Sequence, residues 1–156
     1  DVNRIQKALS EFLPGAQRQF FTEINGVTVI DDSYNANPLS MEMAFHAMRQ
    51  VNGKHYFLVL GDMGELGEKE EQFHYELGKV AGNIGFDGMI TVGKLSRHIA
   101  MGARDVGKTN IMECTTCEDA WQRLQKMIQS GDVVLVKGSR YMHMETILEL
   151  WRKSLN

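Results

Sequence analysis

The sequence predicts an α/β domain: a Rossmann-like three-layer fold with a mostly parallel sheet and an antiparallel hairpin at its N-terminal end. Three observations carry that expectation. Apolar runs at 56–60, 88–92 and 133–136 alternate with helical patterns of ten or more residues, the signature of βαβ units joined by right-handed crossovers. Two β-type runs, Phe20 to Ile24 and Val27 to Ile30, flank Asn25-Gly26, the two-residue signal of a type I′ hairpin. The second run then meets Asp31-Asp32-Ser33-Tyr34-Asn35-Ala36-Asn37-Pro38, a polar turn between a strand and a helix start. Such a turn sets side chains and unpaired backbone N–H groups at the carboxyl edge of a sheet.

Taken in order, residues 2–12 keep a helical period in Val2, Ile5, Ala8, Leu9 and Phe12, and Pro14-Gly15 ends it. This first piece, 1–14, is expected to be the end of a preceding domain's helix with its linker, leaving 15–156 as one domain. After the hairpin, Asn37-Pro38 supplies an N-cap and a first-turn proline. Met41, Ala44, Phe45 and Met48 form the apolar stripe of the helix that follows. Tyr56 to Leu60 reads as a buried parallel strand, and Gly61 to Gly67 as its edge loop. The next helix is predicted to bury Phe73, Leu77, Val80, Ala81 and Ile84. Gly88 to Val92 is a strand, Gly93-Lys94 an edge loop, Ser96 to Arg104 a helix and Asn110 to Glu113 a short strand. Thr115 with Glu118 predicts a capping box before a helix carrying Ala120, Trp121, Leu124, Met127 and Ile128. Gly131-Asp132 turns the chain into the strand Val133 to Val136. Residues 137–140 are its edge loop, and Met144, Ile147, Leu148 and Trp151 mark the last helix.

Bulk properties narrow the function. The 156 residues suffice for one core that buries roughly two-thirds of the unfolded surface. A net charge of −3 argues against a nucleic-acid or membrane-surface module, and no apolar run approaches the ~20 residues a bilayer span needs. The N-terminus has no signal-peptide pattern and no initiator Met, so the chain is expected to be a piece of something longer. Cys114 and Cys117 form a lone CxxC without further metal-ligand spacing and read as incidental thiols of a reducing cytoplasm. The five histidines fall singly on separate elements, as surface or core residues, and Met41, Met43 and Met48 read as core filler. No metal site is expected.

One motif invites a different assignment. Gly102-Ala103-Arg104-Asp105-Val106-Gly107-Lys108-Thr109 satisfies GxxxxGK[ST]. A phosphate loop needs a strand before it and a helix after it; here a helical pattern precedes and a strand follows. The segment is expected to be an ordinary loop at the opposite edge of the sheet from the ligand crevice. Gly61, Gly64 and Gly67 are spaced GxxGxxG, unlike the dinucleotide fingerprint, and either shape a turn or let Asp62 and Glu65 rim a site.

The βαβ logic sends three loops to one edge: 31–37, 61–67 and 137–140. They carry Asp32, Asn35, Asn37, Asp62, Lys137, Ser139 and Arg140. Carboxylates suit a ribose diol or Mg²⁺, carboxamides a zwitterionic or peptide ligand, and Lys and Arg a carboxylate or phosphate. No nucleophile–base pair stands out, which points to binding and positioning rather than covalent catalysis. A stand-alone nucleotide-binding or regulatory module is the alternative reading.

Three stretches in order, Asp31 to Met41, Val59 to Gly67 and Val136 to Arg140, closely resemble the C-terminal domain of Mur ligases, in the branch that adds D-alanyl-D-alanine to UDP-N-acetylmuramoyl-tripeptide. The resemblance spans about residues 5–153. It implies a three-domain, monomeric, cytoplasmic enzyme of peptidoglycan synthesis, using ATP and Mg²⁺, in which the tripeptide carboxylate is phosphorylated and the dipeptide amine attacks the acyl phosphate. It implies that ATP and Mg²⁺ are held mainly by a central domain absent from this chain, so that this piece alone is inactive and carries no catalytic residue of its own. By position, Asp32 resembles the carboxylate that meets the ATP ribose and Arg18 the arginine that reaches the nucleotide phosphates. Arg18 sits in Pro-Gly-Ala-Gln-Arg where the family more often shows Pro-x-Pro-Gly-Arg. Asn35, Asn37, Lys137, Ser139 and Arg140 fall where relatives contact the incoming amino acid or dipeptide, with Tyr34 and Asp62 on the rim.

Overall fold

A computed structural model describes residues 20–156, and the predicted helix at 2–12 and Arg18 lie outside them. Strand β1 (Phe20–Ile24) turns at Asn25 and Gly26 into β2 (Val27–Asp32). Both turn residues have positive φ, 50° and 79°, as a type I′ hairpin requires. Helix α1 (Pro38–Gln50), β3 (Tyr56–Gly61), α2 (Glu70–Ile84), β4 (Gly88–Val92) and α3 (Arg97–Asp105) follow. Then come β5 (Ile111–Cys114), α4 (Cys117–Leu124), β6 (Val133–Lys137) and α5 (Glu145–Ser154).

The described strands make one sheet in the order β1-β2-β6-β3-β4-β5, antiparallel only at β1–β2. The last strand in sequence therefore lies between β2 and β3. Helices α1, α2 and α3 cover one face, packing Met41, Phe45, Leu77, Ile99 and their neighbours on Ile30, Leu58, Leu60 and Leu135. Helices α4 and α5 cover the other, where Trp121 and Trp151 stack with ring centroids 5.4 Å apart. The chain leaves β2 and β3 toward one face and β6 toward the opposite one. The carboxyl ends of these three neighbours therefore form a topological switch point, where open α/β sheets bind ligands.

Three local expectations are corrected. Phe73 is 41% exposed and His74 is fully buried, so the inner face of α2 is His74, Leu77, Gly78, Ala81 and Gly82. The stripe is rotated because α2 packs its glycines against α3: a Cβ on Gly78 would stand 2.0 Å from the Ile99 carbonyl oxygen. The cap of α4 is Thr116, whose Oγ1 accepts the Asp119 N–H at 3.1 Å, rather than Thr115. β5 extends through Cys114 and delays the helix by one residue. α4 also ends at Leu124, so Met127 and Ile128 follow it in a turn. The GxxxxGKT segment runs out of α3 into the loop before β5, the helix-to-strand edge opposite the switch point.

Candidate functional site

The crevice begins with backbone register. On β6, Lys137 is the parallel partner of Asp32 on one side and of Leu60 on the other. Asp32 and Lys137 thus project from the same sheet face, and the Lys137 Nζ donates to Asp32 Oδ2 and to the Asn35 carbonyl oxygen, each at 2.8 Å. The pair is dry, with Lys137 2% and Asp32 6% exposed. Burial pushes the Lys137 ammonium below its usual range, and the Asp32 carboxylate pulls it only part of the way back. One buried cation therefore ties the end of β6 to the end of β2 and to the loop beyond it.

That loop leads into α1. Asn37 Oδ1 accepts the Ser40 N–H at 2.9 Å, and Ser40 Oγ accepts the Asn37 N–H at 3.0 Å, a reciprocal cap at the mouth of the crevice. Replacing Asn37 by Ala should cost about 1 kcal/mol in a thermal or urea unfolding measurement, while Asn37→Asp keeps the cap and most of the stability. Asn35 is exposed, and its Oδ1 accepts the Ala36 N–H at 2.8 Å. Tyr34 stands 58% exposed on the same loop.

The loop after β3 approaches from the other side and is stapled at each step. The Asp62 carboxylate turns inward: its Oδ1 accepts the N–H groups of Leu95 (3.1 Å) and Ser96 (2.7 Å), capping the approach to α3. Of the two acidic residues the sequence offers for the rim, Asp62 and Glu65, the structure buries the first and lines the pocket with the second. Ser139 binds this loop twice, its N–H donating to the Asp62 carbonyl at 2.9 Å and its Oγ accepting the Gly64 N–H at 2.6 Å. Gly64 allows that approach, since a Cβ there would lie 2.9 Å from the Tyr141 ring.

Together these segments enclose a pocket of about 590 Å³ lined by Asn35, Gly64, Glu65, Ser139, Arg140, Tyr141 and His143. That volume falls in the range of small-ligand sites. Glu65 and His143 adopt positive φ, 60° and 49°, and such backbone outliers gather at ligand clamps. Arg140 stays exposed, with its Nη1 held by Glu145 Oε1 at 2.8 Å. Burial alone would raise Glu145; hydrogen bonds from its own backbone, Arg140 and His143 outweigh it and keep the carboxyl below its usual range. An anchored guanidinium at a pocket wall suits a carboxylate ligand.

Of the residues singled out from sequence, Asn35, Ser139 and Arg140 line this one pocket. Asp32 and Lys137 lie buried behind it, and Asn37 and Tyr34 stand on the neighbouring loop. Tyr141 and His143 were not anticipated, although they directly follow the 137–140 edge loop in the chain. Both thiols are buried, and the Cys117 Sγ donates to the carbonyl oxygens of Met142 (3.8 Å) and His143 (3.7 Å), behind the pocket wall. Burial, with Asp119 beside it, pushes Cys114 up to about 12; burial raises Cys117 to about 11, values that leave both as unreactive thiols. Among the described residues no three His, Cys, Asp or Glu side chains converge as a metal needs.

Comparisons with known proteins bear on what the pocket is for. The family described as "Mur ligase, glutamate ligase domain" matches residues 18–140. The UDP-N-acetylmuramoyl-tripeptide–D-alanyl-D-alanine ligase of Bacillus subtilis is 36% identical over 137 residues, covering 86% of this chain and 30% of that protein. The enzyme of the same name from Escherichia coli is 36% identical over 126 residues, covering 77% of this chain and 26% of that protein. Among solved structures, MurF from Acinetobacter baumannii superposes with a TM-score of 0.79 at 32% identity, covering 87% of this chain and 30% of that one. MurF ligase from Thermotoga maritima, solved in complex with ADP, gives 0.76 at 32% identity, covering 92% and 31%. The chain thus spans about 30% of these relatives' length.

Proposed function

The chain belongs to the Mur ligase family, glutamate ligase domain, and on that premise we propose that it is the C-terminal domain of an ATP-dependent ligase joining D-alanyl-D-alanine to UDP-N-acetylmuramoyl-tripeptide. Residues 15–156 are this domain, and 1–14 are the end of the domain before it with its linker. The observation that carries the reading is the convergence of Asn35, Ser139 and Arg140 on one ligand-sized pocket at the switch point. The names of the 36%-identical relatives supply the substrates, and the ADP-bound neighbour supports a nucleotide in the same cycle.

In this reaction a tripeptide carboxylate oxygen takes the γ-phosphoryl group of ATP and ADP leaves. The dipeptide amine then attacks the acyl carbon, the amide bond forms, phosphate departs and the amine gives up a proton. The domain contributes position and charge rather than a nucleophile. Arg140 holds the dipeptide carboxylate, and Asn35 and Ser139 shape the wall beside it. Asn37 fixes the helix at the crevice mouth. Lys137 sets the Asn35 carbonyl and the Asp32 carboxylate, and Asp32 together with Arg18 meets ATP. Mg²⁺ is assigned to the preceding domain. The same reading makes the protein a cytoplasmic monomer; among the described residues no helix is long and apolar enough to cross a membrane.

The test is ligation by the protein that contains this domain. Arg140→Ala should raise the KM for D-alanyl-D-alanine about tenfold or more, the worth of a hydrogen bond to a charged group, with the KM for ATP unchanged. The 156-residue chain alone should not hydrolyse ATP. Failure of the longer protein to join dipeptide to tripeptide would overturn the reading, and ATP turnover by the isolated chain would favour a self-sufficient nucleotide module.

A further inference from the structure

His74 is the one fully buried histidine among the described residues, and the proposed chemistry makes no use of it. Its two ring nitrogens are committed. Nε2 lies 2.9 Å from the backbone nitrogen of Met63, a group that can only donate, so Nε2 must accept. Nδ1 lies 2.6 Å from the Glu70 carbonyl oxygen, which can only accept, so Nδ1 must carry the proton. These partners dictate the neutral Nδ1–H tautomer. The next residue after Met63 is Gly64, whose N–H meets Ser139 Oγ and which, with Glu65, forms a wall of the pocket. Glu65 sits at a positive φ of 60°, a conformation that needs its flanks held. A single imidazole on α2 thus links the helix to the wall through one peptide unit.

We propose that His74 is a positioning residue of the pocket: as the neutral Nδ1–H tautomer it holds Met63 and Gly64 against Ser139, and protonation, which turns Nε2 into a donor facing the Met63 N–H, releases that wall and the dipeptide with it. The inference rests on the ligase reading for its ligand, but the loop geometry stands apart from it. The groups facing the imidazole are Asp62 just after β3, Glu70 on α2 and His98 on α3, whose Nε2 is in turn 3.7 Å from Glu71 Oε1. Burial lowers His74 below 6.5 and outweighs the opposite pulls of the Glu70 carbonyl and the Asp62 carboxylate. The unfolded chain therefore takes up this proton first as pH falls. The wall is fully held above 6.5 and is lost as pH drops through the lower folded value.

Two measurements test this. In the ligase, His74→Gln offers an Oε1 acceptor that does not titrate, so it should hold the wall at every pH. The ratio of wild-type to His74→Gln KM for D-alanyl-D-alanine cancels the ionisation of the dipeptide amine. It should be flat above 6.5 and climb about tenfold per pH unit below the His74 midpoint, with kcat unaffected. His74→Leu should raise the KM about tenfold at all pH values by leaving the Met63 N–H without an acceptor. In the chain itself, nitrogen-15 NMR should show the Nδ1–H tautomer, with the Met63 and Gly64 amides shifting at the imidazole midpoint. A flat KM ratio, an unchanged KM in His74→Leu, or amides that ignore the titration would each overturn the inference. Coupled amides in a protein that ligates nothing would sink the ligase reading alone.

Discussion

Lys137→Met should lower the stability of the domain by about 3–5 kcal/mol in urea, and Asp32→Asn combined with Lys137→Met should recover most of that loss. The single change takes the Lys137 cation from beside a carboxylate that is 6% exposed. The double change replaces a dry ion pair by two uncharged side chains of similar size. Recovery is expected because burial already pushes Lys137 down from its usual range and Asp32 only partly offsets it, so the charged state is held at a cost. Activity should not follow stability. Lys137 also donates to the Asn35 carbonyl, so both variants should lose the fixed loop and raise the KM for ATP and dipeptide roughly tenfold or more. A double variant as unstable as the single one would mean that the pair is not what holds this end of the sheet. A double variant with full ligation would mean that it does not organise the site.

The pair also marks where sequence reasoning stops. Asn25-Gly26, Asn37-Pro38 and the run Val133 to Val136 are legible because each carries its own local physics: a turn that needs positive φ, a cap with a fixed first-turn residue, a strand dry on both faces. The edge on which 31–37, 61–67 and 137–140 meet follows from βαβ topology, so the site's position is legible too. What joins those loops is not. Lys137 and Asp32 stand 105 residues apart in the chain, and only the insertion of β6 between β2 and β3 makes them neighbours. Asp62 and Phe73 mislead for a related reason. A carboxylate in an edge loop looks like a ligand group until the N–H groups of Leu95 and Ser96 are seen beneath it. An apolar Phe73 looks like the inward residue until the glycine-rich contact with α3 rotates the helix and buries His74 beside it.

That contact carries the second large effect. Gly102→Ala should cost about 3 kcal/mol or more, the upper end of what overpacking costs, whereas Lys108→Ala should cost no more than about 1 kcal/mol. A phosphate-binding loop would be sensitive above all at its lysine, because that side chain reaches the phosphates. Here a Cβ on Gly102 would stand 2.0 Å from the Tyr75 carbonyl oxygen and 3.0 Å from the Lys79 nitrogen, and Gly78 stands in the same relation to Ile99 from the other helix. Both obstacles are backbone within helices, so no side chain can rotate out of the way, and α2 and α3 would have to part along their length. Lys108 has its ammonium 5.6 Å from the Phe86 ring centroid and the packing of its half-buried stem near Gly82 to lose. Urea unfolding of the two variants, with ATP binding measured alongside, decides the matter. A stable Gly102→Ala protein would contradict the close crossing of α2 and α3. Loss of nucleotide binding in Lys108→Ala would move the phosphate site to the far edge of the sheet. The crossing also reaches the pocket, because α2 carries His74 and α3 receives Asp62 at its approach, so the glycines of a motif that mimics a nucleotide site hold the frame on which the Gly61–Gly67 loop is hung.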